Sequence, residues 1–565
     1  MTDTDRPATT SRILDRLWPD LVAEIPAILA SQDAATGRFG TEPFIVNDQN
    51  LLWPLAVAWA TPDTPARPNP YAGDERLLAA IVAGGDALIE VADDRGRWEF
   101  RKKDNSTWGP IHMPWTYSRW IRAWALVRDA MPADRRAAWD AAITLGVDDI
   151  VATDLILPIR NIPAHHAMGV YRASQVLGRD DWRTAAVDYL HRTIDDQDPA
   201  GFWSEHHGPV VMYNVVYVDA LGCYLGMSGD PLVQSALERA AAFHASLTYP
   251  DASQVETVDE RNPYGNSPAG VSVGFLADPV GRGYLSWLLD RRAELGAPAV
   301  PADTIASMVS YGSDGPQLPP PAGTSRHSLV LGDRDARVER QEPWFVALSA
   351  YHSEPPERNR WIQDRQAHLS VFHDRTGVII SGSNTRLQPR WSTVTVGDVS
   401  LLTHTPGDED PDFAAPPGLR HIPTDARLAG DDLGVDLTLD DVSVAVRVRL
   451  DGETARISYE LSEPTSVPVA AHAAFLAHPG EPWSSGGPTG IIGDDPVRLT
   501  AAECDGWFSH HGWRVSLPED AIIEWPVIGH NPYTKDGSAG SEHSRIVVSL
   551  PLAAGIPSEL VLDVE

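Results

Sequence analysis

Cysteine is nearly absent, with only Cys223 and Cys504 in 565 residues. Two thiols so far apart exclude a disulfide framework and a cysteine cage for zinc. Basic residues are scarce as well: Lys and Arg number 45 against 78 Asp and Glu, a formal net charge of −33. That excludes nucleic-acid binding by bulk electrostatics. No apolar run reaches the length of a membrane span. The first residues, Met1-Thr2-Asp3-Thr4-Asp5-Arg6, carry no apolar signal core. The expectation is a cytoplasmic protein without a membrane partner. A Walker loop, a dinucleotide fingerprint, a Gly-x-Ser-x-Gly elbow, a His-Glu-x-x-His helix and a calcium loop are all missing, so neither cofactor nor metal is expected. His510-His511, with His478 and His530, offer metal-ligand types in the second half, but adjacent loop histidines are usually just exposed.

Apolar residues are not scarce. They make up 43% of the chain, which is ordinary for a globular protein, and 19 of them are Trp. Flat indole faces suit sugar rings, although Trp is equally a core residue. The length predicts more than one domain. From Ser11 to about Leu295 apolar residues recur at helical spacing, as in Leu14, Leu17, Leu21, Ile25 and Ile28. Trp115–Leu126 is another such run. Further helices are expected to start near Ala164, Trp182, Val215, Leu232 and Tyr284. Tyr311 to Gly323, rich in Gly and Pro, reads as a linker.

After the linker the period becomes alternating. Val442, Val444, Val446 and Val448 alternate with Ser443, Ala445, Arg447 and Arg449. Asp374-Arg375-Thr376-Gly377 separates two apolar runs and predicts a hairpin. The expected fold is multidomain α and β: an N-terminal α/α toroid, an incomplete barrel of helical hairpins, followed by a C-terminal antiparallel β-sandwich. The boundaries are 1–310 for the toroid, 311–324 for the linker and 325–565 for the sandwich.

One stretch concentrates proton-transfer groups. Gly201-Phe202-Trp203-Ser204-Glu205-His206-His207-Gly208-Pro209 is followed by Tyr213-Asn214 and Tyr217. An acid, imidazoles, phenols and an amide feeding a helix suit the floor of an active site. Upstream, Asn161-Ile162-Pro163-Ala164-His165-His166 opens a helix, with Pro163 in its first turn and Asn161 as a natural cap. Two adjacent histidines cannot both face inward on a helix, so one is expected to point into a cleft. Downstream, Arg261 and Tyr264 lie in a loop. Asn47, Gln49, His112 and Trp115 sit just before helices, where they can line one end of a toroid.

Helices first, sandwich second, with a central Asn, His and Tyr set, resembles the polysaccharide lyases of the α/α-toroid plus antiparallel β type: chondroitin AC, hyaluronate, heparinase II/III-like and alginate lyases. Gly201 to His207 with Tyr213 and Tyr217 is similar to that group's Asp-Gly-Ser-Phe-x-Gln-His segment and its downstream catalytic tyrosine. Asn161 stands upstream and Arg261 downstream, as that group's Asn and Arg do. Glu205 departs from the pattern, where glutamine is usual, and the match marks a divergent member. The resemblance implies an enzyme that takes an anionic oligo- or polysaccharide and cleaves beside a uronic acid by β-elimination. Asn161, Arg261 and a histidine would neutralise the carboxylate. Tyr213 or Tyr217 would be the acid/base, with His206, His207 or His166 as partner. His165, Asn214, Trp203, Trp115, His112, Asn47, Gln49 and Tyr264 would contact the sugar.

A glycoside hydrolase on the same toroid is the alternative, acting on glucuronides or unsaturated uronyl sugars. It needs paired carboxylates, and Glu205, Asp48, Asp219 and Glu260 are the candidates. A non-catalytic carbohydrate-binding protein is a third reading, disfavoured by the clustering of His, Tyr, Glu and Arg.

Overall fold

The computed structural model describes residues 12–205, 207–261, 268–354, 359–402, 408 and 411–565. Eleven α-helices come first among the described residues, and antiparallel strands follow. The helices are α1 (Ile13–Ala30), α2 (Leu52–Ala60), α3 (Glu75–Val91), α4 (Pro114–Val127), α5 (Ala133–Thr153), α6 (Asn161–Leu177), α7 (Asp180–Asp195), α8 (Val211–Ser228), α9 (Pro231–Ser246), α10 (Pro279–Glu294) and α11 (Ala302–Tyr311).

Burial sorts the helices into two sets. In α2, Leu52 to Ala58 are all buried, and α6 buries nine of its first ten residues, all but Ile162. A helix apolar on every side must be covered on every side. By contrast α5 buries one stripe, Trp139, Ile143, Gly146, Val147 and Ile150, and α7 buries Trp182, Ala186, Tyr189, Leu190 and Thr193. Inner helices α2, α4 and α6 pack in succession, and α3, α5 and α7 lie against them as the outer members. α1 packs on α11 and α2. This is the inner/outer alternation of helical hairpins that the periodicity predicts.

Two local features depart from that expectation. Trp98–Arg101 and Thr107–Ile111 form a small antiparallel hairpin inside the helical region. The start of the expected linker is helical, because Tyr311 ends α11 and stacks on Trp53 at 5.9 Å.

The strands form two antiparallel sheets. In one, Val442–Asp451 pairs with Gly434–Leu439 and Thr454–Leu461. In the other, Leu369–His373 pairs with Trp344–Ser349 and Gly377–Ile380 around the predicted hairpin. Val442, Val444, Val446 and Val448 turn inward and share one apolar cluster with Val346, Val371 and Ile379 of the other sheet. Ser443, Ala445 and Arg447 of the same strand are half-buried. The alternation therefore marks a strand with one dry face.

The compact units interleave in sequence. One comprises 1–203, 212–243 and 270–319; the other comprises 204–211, 244–269 and 320–565. Residues 249–257 help to cover strands buried on both faces. Trp344–Ser349 and Leu369–His373 have no exposed residue. Tyr249 stacks on Phe372 at 5.2 Å, meets Phe345 edge-on at 5.1 Å, and bonds Ser370 Oγ at 2.6 Å. Its hydroxyl donates to Glu256 Oε2 at 3.0 Å, and Glu256 Oε1 accepts the Gly382 N–H at 2.9 Å. Periodicity cannot show that a loop between helices covers a distant sheet.

Candidate functional site

In the helical unit the site residues gather on α4, α6 and α8. Asn161 is the first helical residue of α6 and is buried; the cap position belongs to Arg160. This corrects the reading of Asn161 as the capping residue. Both histidines that follow are buried, at 1% and 3% exposure, so neither is left to solvent. They satisfy the helical geometry by pointing to different neighbours. His165 Nε2 lies 3.2 Å from Asp219 Oδ2 on α8, and Trp115 meets its ring edge-on at 4.9 Å. His166 Nε2 lies 2.8 Å from the His112 carbonyl, and its Nδ1 lies 2.8 Å from Asp154 Oδ2. His112 in turn sits 3.2 Å from the Arg95 carbonyl and 3.2 Å from Asp149. His112 and His166 thus tie α4, α5 and α6 together at their ends.

Burial pushes the His165 imidazole down to about 4 against the pull of Asp219. Burial also acts to raise Asp219, but its bond to His165 and the nearby Arg122 and Arg119 outweigh it and hold that carboxyl below its usual range. The folded imidazole resists a proton that the unfolded chain accepts near 6.5, so its contribution is full above that pH and is lost as pH falls towards 4. Burial likewise lowers His244 to about 3, His368 to about 4 and His472 to about 3. Asp259, raised to about 6, and Glu256, Glu260 and Asp278, also raised, each chiefly by burial, act in the opposite sense as pH rises through the ordinary carboxylate range. Across the whole interval from 6.5 down to its folded value, each such histidine accounts for roughly 3–5 kcal/mol. The expected result is that the urea midpoint falls clearly between about pH 7 and about pH 4.5. A midpoint that stays level or rises on acidification would refute this account.

The two tyrosines are not equivalent. Tyr217 is 1% exposed and stacks on Trp203 at 4.9 Å with the rings 16° apart. Trp203 is itself fully buried, its indole N–H donating to the Thr193 carbonyl at 2.6 Å. Asn214 clamps the Trp203 backbone, its Oδ1 accepting the N–H at 2.7 Å and its Nδ2 donating to the carbonyl at 3.2 Å. Trp203, Asn214 and Tyr217 are therefore one packed element, which corrects the expectation of Trp203 and Asn214 as sugar contacts. Tyr213, one turn earlier on α8, is half-buried beside exposed Met212. Gln49 is also corrected to a structural role: it is fully buried, with Oε1 accepting the Phe39 N–H at 3.0 Å and Nε2 donating to the Phe39 carbonyl at 3.0 Å. Asn47 and Trp115 stay partly exposed.

In the sheet-bearing unit a second group forms. The Glu205 N–H bonds the Gly208 carbonyl at 3.2 Å, leaving Glu205 half-buried and His207 exposed. Glu260 is fully buried, with its carboxylate 3.3 Å from Arg365 Nη2, and it also receives the His207 backbone N–H. Asp259 takes the Val211 N–H at 2.9 Å and the Arg261 N–H at 2.7 Å. Arg261 lies over the Trp361 ring at 6.0 Å, and its carbonyl accepts from the Tyr533 hydroxyl at 3.4 Å. Gly208 has φ 153°, and a Cβ there would lie 2.6 Å from Arg365 Nη2. His206 and Tyr264 lie outside the described residues.

Arg365, Trp361 and Tyr533 were invisible to sequence reasoning. Gln363, Asp364, Arg365 and Gln366 are all at most 2% exposed. A polar run reads as a solvated loop, and nothing local marks it as buried. Among the alternative's carboxylates, Asp48 pairs with Lys103 at 2.7 Å, Asp219 with His165 and Glu260 with Arg365.

No family model matches the sequence, and no curated protein matches it. Solved structures do. A chondroitin AC lyase of Streptomyces coelicolor A3, in complex with chondroitin sulphate, matches with TM-score 0.52 and 17% identity, over 98% of this chain and 80% of that one. A tyrosine-to-alanine mutant of the same enzyme matches with TM-score 0.52 and 16% identity, over 98% and 80%. A second chondroitinase AC lyase matches with TM-score 0.50 and 11% identity, over 98% and 82%. At these identities the finding is a shared fold across nearly the whole chain: helical region first, antiparallel sheets second. No helix among the described residues is long and apolar enough to cross a membrane.

Proposed function

We propose that the protein is a polysaccharide lyase that cleaves beside a uronic acid by β-elimination, with Tyr213 as the acid/base. The observation that carries the reading is the fold shared over 98% of the chain with a chondroitin AC lyase in complex with chondroitin sulphate. Half-exposed Tyr213 supports the choice of tyrosine, since Tyr217 is sealed under Trp203.

The chemistry sets three tasks. The proton on C5 lies α to a carboxylate and is weakly acidic while that carboxylate is charged. Neutralising the charge stabilises the enolate-like transition state. By the resemblance, Asn161, Arg261 and a histidine, His207 or His206, are assigned that task. A base then takes the C5 proton, and an acid protonates the departing 4-oxygen. One phenol serves both steps when the proton and the leaving oxygen share a face. A cation at the site is needed all the more because the net charge of −33 repels an anionic chain.

The test is ultraviolet absorbance during incubation with chondroitin, hyaluronan, heparan and alginate, as polymers and as oligosaccharides. Elimination leaves a conjugated C4–C5 double bond that absorbs, whereas hydrolysis does not. The expected outcome is rising absorbance with at least one uronate glycan. New reducing ends without absorbance would overturn the lyase reading and point to Glu205 and a second carboxylate.

A further inference from the structure

The two antiparallel sheets meet at a crossover. Val469–Leu476 belongs to one sheet and Pro482–Ser485 to the other, so the chain passes between sheets through residues 477–481. His478 and Glu481 sit on that crossover. Beside it is the hairpin of Trp507–His510 and Trp513–Ser516, which places His511 and Gly512 in its two-residue turn. Both turn residues have positive φ, 47° and 79°. Such a turn strongly prefers Asn, Asp or Gly at its first position. Here it carries an imidazole, aimed at the crossover.

The arrangement brings three ligand types together. His511 Nδ1 lies 2.6 Å from Glu481 Oε2. The His478 and His511 rings stack with centroids 3.6 Å apart. One donor atom from each of His478, Glu481 and His511 lies within 4.8 Å of the others. His478 Nε2 is buried, with no hydrogen-bond partner among the described residues. His510 is excluded as a ligand because both its ring nitrogens are engaged. Its Nε2 accepts the His478 backbone N–H at 3.2 Å, so Nδ1 carries the proton and donates to the Pro482 carbonyl at 3.0 Å. That grip fixes the backbone from which His478 projects.

We propose that His478, Glu481 and His511 form a site for one zinc-type divalent ion that clips the crossover to the neighbouring hairpin. Two imidazole nitrogens and one carboxylate oxygen suit Zn²⁺, Co²⁺ or Ni²⁺, whereas Ca²⁺ and Mg²⁺ select oxygen donors. Three protein ligands leave a fourth position for water. The carboxylate and the His511 side chain are 44% and 30% exposed, so an ion has a way in. Binding requires local movement. In-plane lone pairs of stacked rings run side by side, so one ring must rotate to share an ion, and solvent-facing His511 has the room. Its proton moves to Nε2, which frees Nδ1 for the metal in place of the hydrogen bond to Glu481. This site is independent of the proposed elimination chemistry, and its test does not read activity.

The untagged full chain, stripped of metal and dialysed against buffered free Zn²⁺, is expected to retain one equivalent by elemental analysis. Its Tm is expected to rise with Zn²⁺, and Co²⁺ in the same site should give the visible absorption of a four-coordinate N/O set. His478→Ala, Glu481→Gln and His511→Asn should each weaken binding by more than the roughly 10–100-fold that loss of a supporting partner costs. His511→Asn keeps the turn conformation, so its loss of metal cannot be ascribed to misfolding. Failure of the parent chain to hold zinc at micromolar free ion would overturn the proposal. So would an undiminished equivalent in His511→Asn, or preference for Ca²⁺ over Zn²⁺.

Discussion

Tyr213→Phe is expected to abolish the absorbance-generating activity, lowering kcat by about 10²–10⁴-fold while the protein stays folded. That is the range over which a positioned proton-transfer group contributes to catalysis. Tyr213 is half-buried at the start of α8, so losing one hydroxyl leaves the packing in place. Tyr217→Phe provides the contrast. Its ring stacks on Trp203, and phenylalanine keeps that stack. It should cost no more than about 1.5 kcal/mol of stability, the range for one polar group, and only a few-fold in rate. Rates measured on the same uronate glycan decide between them. If Tyr213→Phe retains half the parent rate, the phenol is not the acid/base. If Tyr217→Phe alone is dead, with its stability intact, the assignment of the two tyrosines is reversed.

Arg365→Met is expected to be among the most destabilising single substitutions in the sheet-bearing unit, by about 3–5 kcal/mol. The side chains of Arg365 and Glu260 are 2% and 0% exposed, so neither charge has water as a substitute partner. Arg365 Nη1 also donates to the Val258 carbonyl at 3.0 Å, and the guanidinium lies over Tyr351 at 5.1 Å. Burial already holds the Glu260 carboxyl above its ordinary range, and Arg365 is the first influence pulling it back. Without that cation the carboxyl rises further. The sign is then fixed: the variant should lose stability as pH rises through and above the ordinary carboxylate range, because the folded state holds a proton the unfolded state gives up. Adding Glu260→Gln should restore much of the loss, since removing both charges is far milder than stranding one. Urea unfolding of the parent, both single variants and the double variant measures the coupling. A single variant within about 1 kcal/mol of the parent would show that the pair is not structurally important.

Local pattern was enough for much of this protein. The inward stripe of α1, the alternation of Val442 to Val448 and the hairpin at Asp374 to Gly377 are each set by residues a few positions apart. So was the order of helices before sheets, which needs only the change of period along the chain. The sequence also brought forward the segment from Trp203 to Tyr217, where residue types are dense enough to draw attention without contacts.

Tertiary structure decided what each of those residues does. Tyr213 and Tyr217 share a helix and a spacing, and only packing against Trp203 separates them. His165 and His166 are adjacent, yet both are buried because α8 supplies Asp219 to one and His112, in the loop ahead of α4, supplies its carbonyl to the other. The same holds for Arg365 under Glu260, Tyr249 over Phe372, and His478 beside His511. The partners in these pairs are 33 to 123 residues apart. Periodicity records which side of an element faces inward; it carries no record of what the fold brings to meet it there.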